Sequence, residues 1–174
     1  DWSELPSAAA SSTIRLDRMQ AYIGGPKSLD TGLVRMPVRF AGVESIWGAV
    51  RKLGVERIGH GMRANEDPEL VALLKQKRIP LEMCPISNIR TGVCESIKSH
   101  PIKQYFDDGL MVTVNSDDPA MFNTSMNDEY LTLVKRLGFT VDDLKQISMN
   151  GIEASFMPEA NKIEMKALFE KEWA

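Results

Sequence analysis

The run Leu110-Met111-Val112-Thr113-Val114-Asn115-Ser116-Asp117-Asp118-Pro119 constrains this chain most, because it joins a buried strand to a strand end that carries charge. The apolar and β-branched residues after Gly109 fit a parallel strand covered on both faces, and Pro119 cannot extend a ladder, so the chain turns there. Two carboxylates then stand at the C-terminal mouth of a strand, where α/β sheets bind ligands. Side chains alternate along a strand, so Asp117 and Asp118 cannot do the same job: one can face a metal while the other reaches a substrate. The plainer reading of Ser116-Asp117-Asp118-Pro119 is a turn with a helix cap, which Asp and Ser both favour.

The same rhythm recurs upstream. Alternation predicts a strand over 33–40, and apolar spacing predicts a helix over 44–53 that Gly54 ends. A strand over 55–60 follows, then a helix from Asp67-Pro68-Glu69 through Lys77, with Asp67 as cap and Leu70, Val71, Leu73 and Leu74 as its buried face. Residues 79–83 form the next strand, Cys84-Pro85-Ile86-Ser87-Asn88 the loop after it, and 101–107 a helix before the strand that ends at Asn115. Helices over 129–137, 141–154 and 160–173 complete the chain. Four strands alternating with helices predict an α/β fold of βαβ units on a parallel sheet.

Ahead of this pattern, residues 1–12 are small-residue sequence with nothing to bury, read as an extended arm, and 15–23 as a short helix stopped by Gly24-Gly25-Pro26. The glycine pair is a plain turn, since no lysine-serine follows at phosphate-loop spacing. The expected division is therefore an N-terminal arm and short helix over 1–32 and the α/β unit over 33–174.

Composition excludes several classes. A net charge of −3 with interspersed signs gives no electrostatic reason to expect nucleic acid or a membrane surface, and no apolar run approaches the roughly 20 residues of a membrane span. Cys84 and Cys94 do not make a disulfide framework, which favours a reducing, intracellular compartment, cytoplasm or organelle. The start at Asp1 rather than Met suggests trimming or removal of a leader. The ten methionines fit core filling.

Read together, the strand ends are Phe40-Ala41-Gly42, Arg57-Ile58-Gly59-His60-Gly61, Leu81-Glu82-Met83-Cys84-Pro85-Ile86-Ser87-Asn88 and Ser116-Asp117-Asp118-Pro119. With Glu44-Ser45-Ile46-Trp47 and Asp128-Glu129-Tyr130 between them, residues 38–173 resemble the C-terminal half of the adenosine and adenine deaminase family, zinc-dependent (β/α)8 barrels that hydrolyse the purine 6-amino group. The resemblance implies a parallel half-barrel like strands 5–8 of a TIM-type barrel, with C-terminal helices. It implies Asp117 as a carboxylate ligand to zinc, Asp118 as the acid that holds the purine through N7, and His60 as the histidine beside the metal-bound water. It also implies Gly42 as the glycine whose backbone approaches purine N3.

The rest of the family's site has no counterpart in this sequence. The family's zinc is also held by a His-x-His pair and by the histidine of a His-Ala-Gly-Glu motif, whose glutamate passes protons. Here the matching run is Phe40-Ala41-Gly42-Val43, and the only histidines are His60 and His100. Phenylalanine cannot coordinate zinc and valine cannot carry a proton. Glu44, one position further, is expected to start a helix, and His100, before Pro101, to make local hydrogen bonds. A substitute metal site from His60, Asp117, Cys84 and Cys94 is not expected, because several loops would have to converge on one ion.

The expectation is therefore a degenerate deaminase-like protein without bound zinc and without activity, in which His60 is vestigial and Asp117 insufficient alone. Its half-barrel, with bare sheet edges and an apolar interior, would be closed by other protein chains in a larger assembly. One alternative is a fragment of a zinc-dependent deaminase. Another is a purine-binding pseudoenzyme that grips its ligand with Gly42 and Asp118.

Overall fold

In a computed structural model the described residues are 42–173. The arm, short helix and glycine turn expected over 1–32, and the strand expected over 33–40 with Phe40, lie outside them.

Three short strands form the centre, β1 (Ile58–Gly59), β2 (Leu81–Met83) and β3 (Val112–Val114), all parallel and in the order β1-β2-β3. Ile58 pairs with Leu81 and Leu81 with Val112, while Gly59, Glu82 and Thr113 form the next row. The helices between them are α1 (Val43–Gly48), prolonged by a π-helical turn over Ala49–Leu53, α2 (Pro68–Lys77), α3 (Pro85–Arg90) and α4 (Ile102–Asp107). After β3 come α5 (Pro119–Phe122), α6 (Met126–Leu137), α7 (Val141–Ala154) and α8 (Glu159–Glu172).

Local chemistry sets many of these bounds. Asp67 accepts from the Glu69 and Leu70 amides and Pro68 stands first in α2, the arrangement that satisfies orphan amides at a helix start. Ser125 with Asp128, and Thr140 with Asp143, form capping boxes at α6 and α7. The expected loop after β2 is instead α3. At its start Pro85 removes one amide proton that would have been an orphan there, and burial of Ser87 and Asn88 overrides their weak helix propensity.

Alternation divides the sheet into two faces. Ile58, Leu81, Met83, Val112 and Val114 join Leu70 and Leu74 of α2, Ile102 and Tyr105 of α4, Leu133 of α6 and Ile147 of α7 in one apolar core. Each such side chain taken fully from water contributes roughly 1.5–3 kcal/mol. Glu82 and Thr113 take the opposite face and are also buried, so the interior row expected to be apolar is polar among the described strands. Tyr105 ties the helix layer to the turn after β1. Its hydroxyl donates to Met62 O at 2.9 Å and accepts from the Asn65 amide at 3.0 Å, and burial pushes it up to about 12. β1 and β3 are the edges of this sheet among the described residues, and Asn150 of α7 covers part of β3 by donating to Val112 O at 3.0 Å.

Candidate functional site

The site residues expected on separate strands meet at the C-terminal mouth of the sheet. β1 ends as His60 and Gly61 both enter the left-handed region, with φ of 58° and 63°. The His60 amide donates to Glu82 O at 2.9 Å and holds the turn against β2. A side chain at Gly61 would stand 2.8 Å from Leu81 Cδ2. Beyond β3, Asp117 also has φ of 58°. Such a conformation costs a non-glycine residue about 1–3 kcal/mol and persists only where its surroundings over-determine it.

These two residues face one another. His60 Nε2 lies 3.9 Å from Asp117 Oδ2, and Ser87 Oγ, from α3, donates to that same oxygen at 2.7 Å. Asn88, also on α3, has Nδ2 at 2.9 Å from His60 Nδ1 and Oδ1 at 3.0 Å from His100 Nε2. His100 makes the local hydrogen bond expected of it only with the Ile102 amide, at 3.2 Å; Asn88 lies twelve residues away. The sequence shows Ser87 and Asn88 only as parts of a strand-end motif, because a loop assignment gives their side chains no direction.

Cys84 ends β2 between them. The reactive atoms of His60, Cys84 and Asp117 lie within 4.8 Å of one another, so three of the four residues whose convergence is not expected from the sequence do come together. The reason is that all three leave neighbouring strands at the same end. Cys94 is elsewhere, donating to Ser96 O at 3.2 Å. Nitrogen, sulfur and carboxylate oxygen are all zinc donors. The thiol opposes this use, since burial first, and then the charges of Asp117, Glu129 and Glu82, push it well up and away from thiolate. The fit to zinc among the described residues is thus partial: Asp117 is a suitable oxygen ligand, and a four-ligand shell needs donors from beyond them.

Two buried acids missed by the sequence reading support this mouth. Glu129 of α6 is fully buried, accepts from the Ile86 amide at 3.1 Å and from Thr124 Oγ1 at 3.4 Å, and so fixes the start of α3. Burial raises it to about 7 against those hydrogen bonds. A carboxylate four positions before the buried Leu133, on the same helical face, was its available signal. Glu82 lies two residues before Cys84 on the polar face and pairs with Arg57 at 3.0 Å. Burial raises Glu82 while Arg57 opposes the rise. Arg57 in turn donates to Ala154 O at 3.1 Å and stacks 4.1 Å from the Phe156 ring centre.

The remaining expected residues stand at helix starts. Asp118 Oδ1 accepts from the Met121 amide at 2.8 Å as the cap of α5, so the plainer reading of that acid is realised. Gly42 is the extended residue before α1, with φ of −68° and ψ of 179°. A β-carbon there would run into Glu44 Oε2. Glu44 sits in the first turn of α1, as expected, and Val43 packs against the core.

Known proteins resemble this chain in sequence and in fold over part of their length. The family profile for adenosine deaminase matches residues 39–171. The chain is 42% identical over 132 residues to an adenosine deaminase of Plasmodium cynomolgi, covering 76% of this chain and 36% of the relative. It is 45% identical over 121 residues to an aminodeoxyfutalosine deaminase of Streptomyces coelicolor, covering 70% and 31%. Among solved structures it is similar to an adenine deaminase from Arthrobacter aurescens, with a TM-score of 0.74, 36% identity and coverage of 78% and 41%. An amidohydrolase from Burkholderia ambifaria with bound zinc gives a TM-score of 0.71 at 26% identity, with coverage of 77% and 38%. The chain thus spans 31–41% of the length of these proteins.

Proposed function

The chain belongs to the adenosine deaminase family, and from that premise we propose that it supplies one side of the active site of a zinc-dependent deaminase that hydrolyses the amino group of an aminopurine. The observation that carries this reading is the pair of left-handed residues, His60 and Asp117, facing each other across 3.9 Å with Ser87 fastening the carboxylate. A chain kept only for its surface has no need of backbone strain at two strand ends. Zinc, when bound, supplies Lewis-acid activation of the attacking water, and Asp117 is the residue of this chain that would hold it. Ser87 orients the carboxylate, His60 offers a ring nitrogen on the same side, and Asp118 and Gly42 are the proposed purine contacts. Asp118 has its Oδ1 engaged in the cap of α5, which leaves Oδ2 for the purine. The other ligands and the opposite wall would come from the remainder of the barrel, in a preceding segment or a partner chain.

A second reading is favoured by Phe40 and Val43, which occupy the places of a ligand histidine and a proton-carrying glutamate. In that reading the chain is catalytically silent, binding a purine or serving as an interaction subunit. One preparation separates the two: the protein purified with whatever completes its barrel, analysed for zinc and for ammonia release from adenosine, adenine and aminodeoxyfutalosine. About one zinc per chain, with turnover lost in Asp117→Ala, is the result expected of the enzyme. Saturable purine binding without zinc or ammonia would establish the second reading and refute the first.

A further inference from the structure

We infer that Asn88 and His100 are positioning residues that set the tautomer of His60, so that its Nε2 carries a proton toward Asp117. The inference rests on the reading of His60 as a site residue, and it follows from one group whose role admits no choice. The backbone amide of Ile102 can only donate, and it lies 3.2 Å from His100 Nδ1. That nitrogen must carry the lone pair, so the neutral ring bears its proton on Nε2. His100 is 4% exposed, and burial, with the nearby His60 second, lowers it to about 4, so the ring is neutral near pH 7.

The next step is equally determined. His100 Nε2–H needs an acceptor and meets Asn88 at 3.0 Å, which identifies that atom as the amide oxygen. The amide nitrogen is then on the His60 side and donates to His60 Nδ1 at 2.9 Å. Asn88 is 0% exposed, so its amide is enclosed by protein. With Nδ1 accepting, the neutral His60 ring holds its proton on Nε2, facing Asp117 Oδ2 across 3.9 Å. His60 is thus a hydrogen-bond donor to any oxygen seated beside Asp117.

This wiring also decides how the His60, Cys84 and Asp117 cluster can be used. For Nε2 to bind a metal, His60 would need its proton on Nδ1, and the Asn88 amide would have to reverse. His100 would then carry its proton on Nδ1, pointing at the Ile102 amide, and two donors would face each other in a buried place. The network therefore opposes His60 as a ligand and leaves Asp117 in that role without it.

The test is the tautomer itself. Protein carrying 15N-labelled histidine, together with whatever completes its barrel, is examined by long-range 1H–15N correlation at about pH 8, above the ordinary imidazole pKa of ~6.5. Signals are assigned by their loss in His60→Gln and His100→Gln. The expected result is Nε2–H for both rings, unchanged at His60 when zinc is added. An Nδ1–H ring at His60, or loss of its Nε2 proton on zinc addition, overturns the inference without any variant. Asn88→Asp keeps the acceptor for His100 and removes the donor for His60, so it should move His60 alone to Nδ1–H; an unmoved His60 overturns the inference too. In a preparation that turns over, this variant should lower kcat by about 10–100-fold with little change in KM. Absence of turnover with His60 as Nε2–H would refute the proposed activity and leave the wiring standing.

Discussion

The two faces of the central sheet come from the same three strands and are built on opposite terms. Toward the helices stand Ile58, Leu81, Met83, Val112 and Val114, which need only volume and exclusion of water. The other face carries Glu82 and Thr113, and at its end Cys84 and Asp117, all polar groups that need partners: Thr113 and Cys84 find theirs two residues away, while Glu82 and Asp117 take theirs from elsewhere in the chain. The first face supplies stability. The second consumes part of it in a buried charge pair, two left-handed residues and displaced proton affinities. That asymmetry is expected where a fold carries a site.

The sharpest way to break the comparison is at the charge pair. Arg57→Ala leaves Glu82 buried without its counter-ion, which should cost about 3–5 kcal/mol near neutral pH. The loss should shrink in acid, because Glu82, already raised by burial, then takes a proton more readily. Denaturant unfolding at two pH values reads both effects, and an equal loss at each would show that the pair is not what the arginine secures. On the apolar face, Leu81→Ala should cost about 2–5 kcal/mol whatever the pH, since it removes only packing.

Proton linkage gives the next effect, of about 2–3 kcal/mol, and here two buried groups beside the mouth oppose each other. Glu129 has a folded-state value of about 7 against an ordinary 4.5, so the folded protein holds the proton more tightly. Its contribution to stability is present below pH 4.5 and is lost as pH rises toward 7, by on the order of 2–3 kcal/mol. His100 runs the other way. Its folded-state value of about 4 lies below 6.5, so stability is full above 6.5 and falls, by a similar amount, as pH drops toward 4. Glu129→Gln, which keeps an acceptor for the Ile86 amide, should therefore stabilise the protein at pH 8 relative to pH 5. His100→Gln should flatten the acid side. Parallel pH profiles for these variants and the unaltered protein would contradict both assignments.

The same division explains what could be read from the sequence. The apolar face announced itself as short apolar runs, and Asp67 before Pro68 gave the start of α2; the Ser125–Asp128 and Thr140–Asp143 boxes were not singled out, and α6 starts at Met126 rather than at the expected 129. The location of the mouth was legible because Pro119 ends a strand in two acids. Its wiring was not. The Glu129 bond to Ile86 spans 43 residues, that of Asn88 to His60 spans 28, and that of Asn88 to His100 spans 12, distances at which one sequence gives no pairing. Asp118 shows the converse. Its position suggested a ligand contact, while its Oδ1 does what local geometry favours and caps the next helix.

The smallest prediction separates strain kept for a helix end from strain kept for a site. Arg78 closes α2 in the left-handed region with φ of 50°, as Asp117 leaves β3 with φ of 58°. At Arg78 the conformation serves only to end a helix, the place where glycine is ordinarily preferred. Arg78→Gly should therefore stabilise the protein by about 1 kcal/mol and leave zinc content and ammonia release untouched. Asp117→Gly relieves the same backbone cost but removes the acceptor of Ser87 and the carboxylate facing His60. Its gain should be smaller than that at Arg78, and zinc and turnover should disappear with it. If Asp117→Gly matched Arg78→Gly in stability and kept its zinc, the left-handed turn at the mouth would be a chain reversal like the one at α2. The strained pair at His60 and Asp117 would then no longer mark a site.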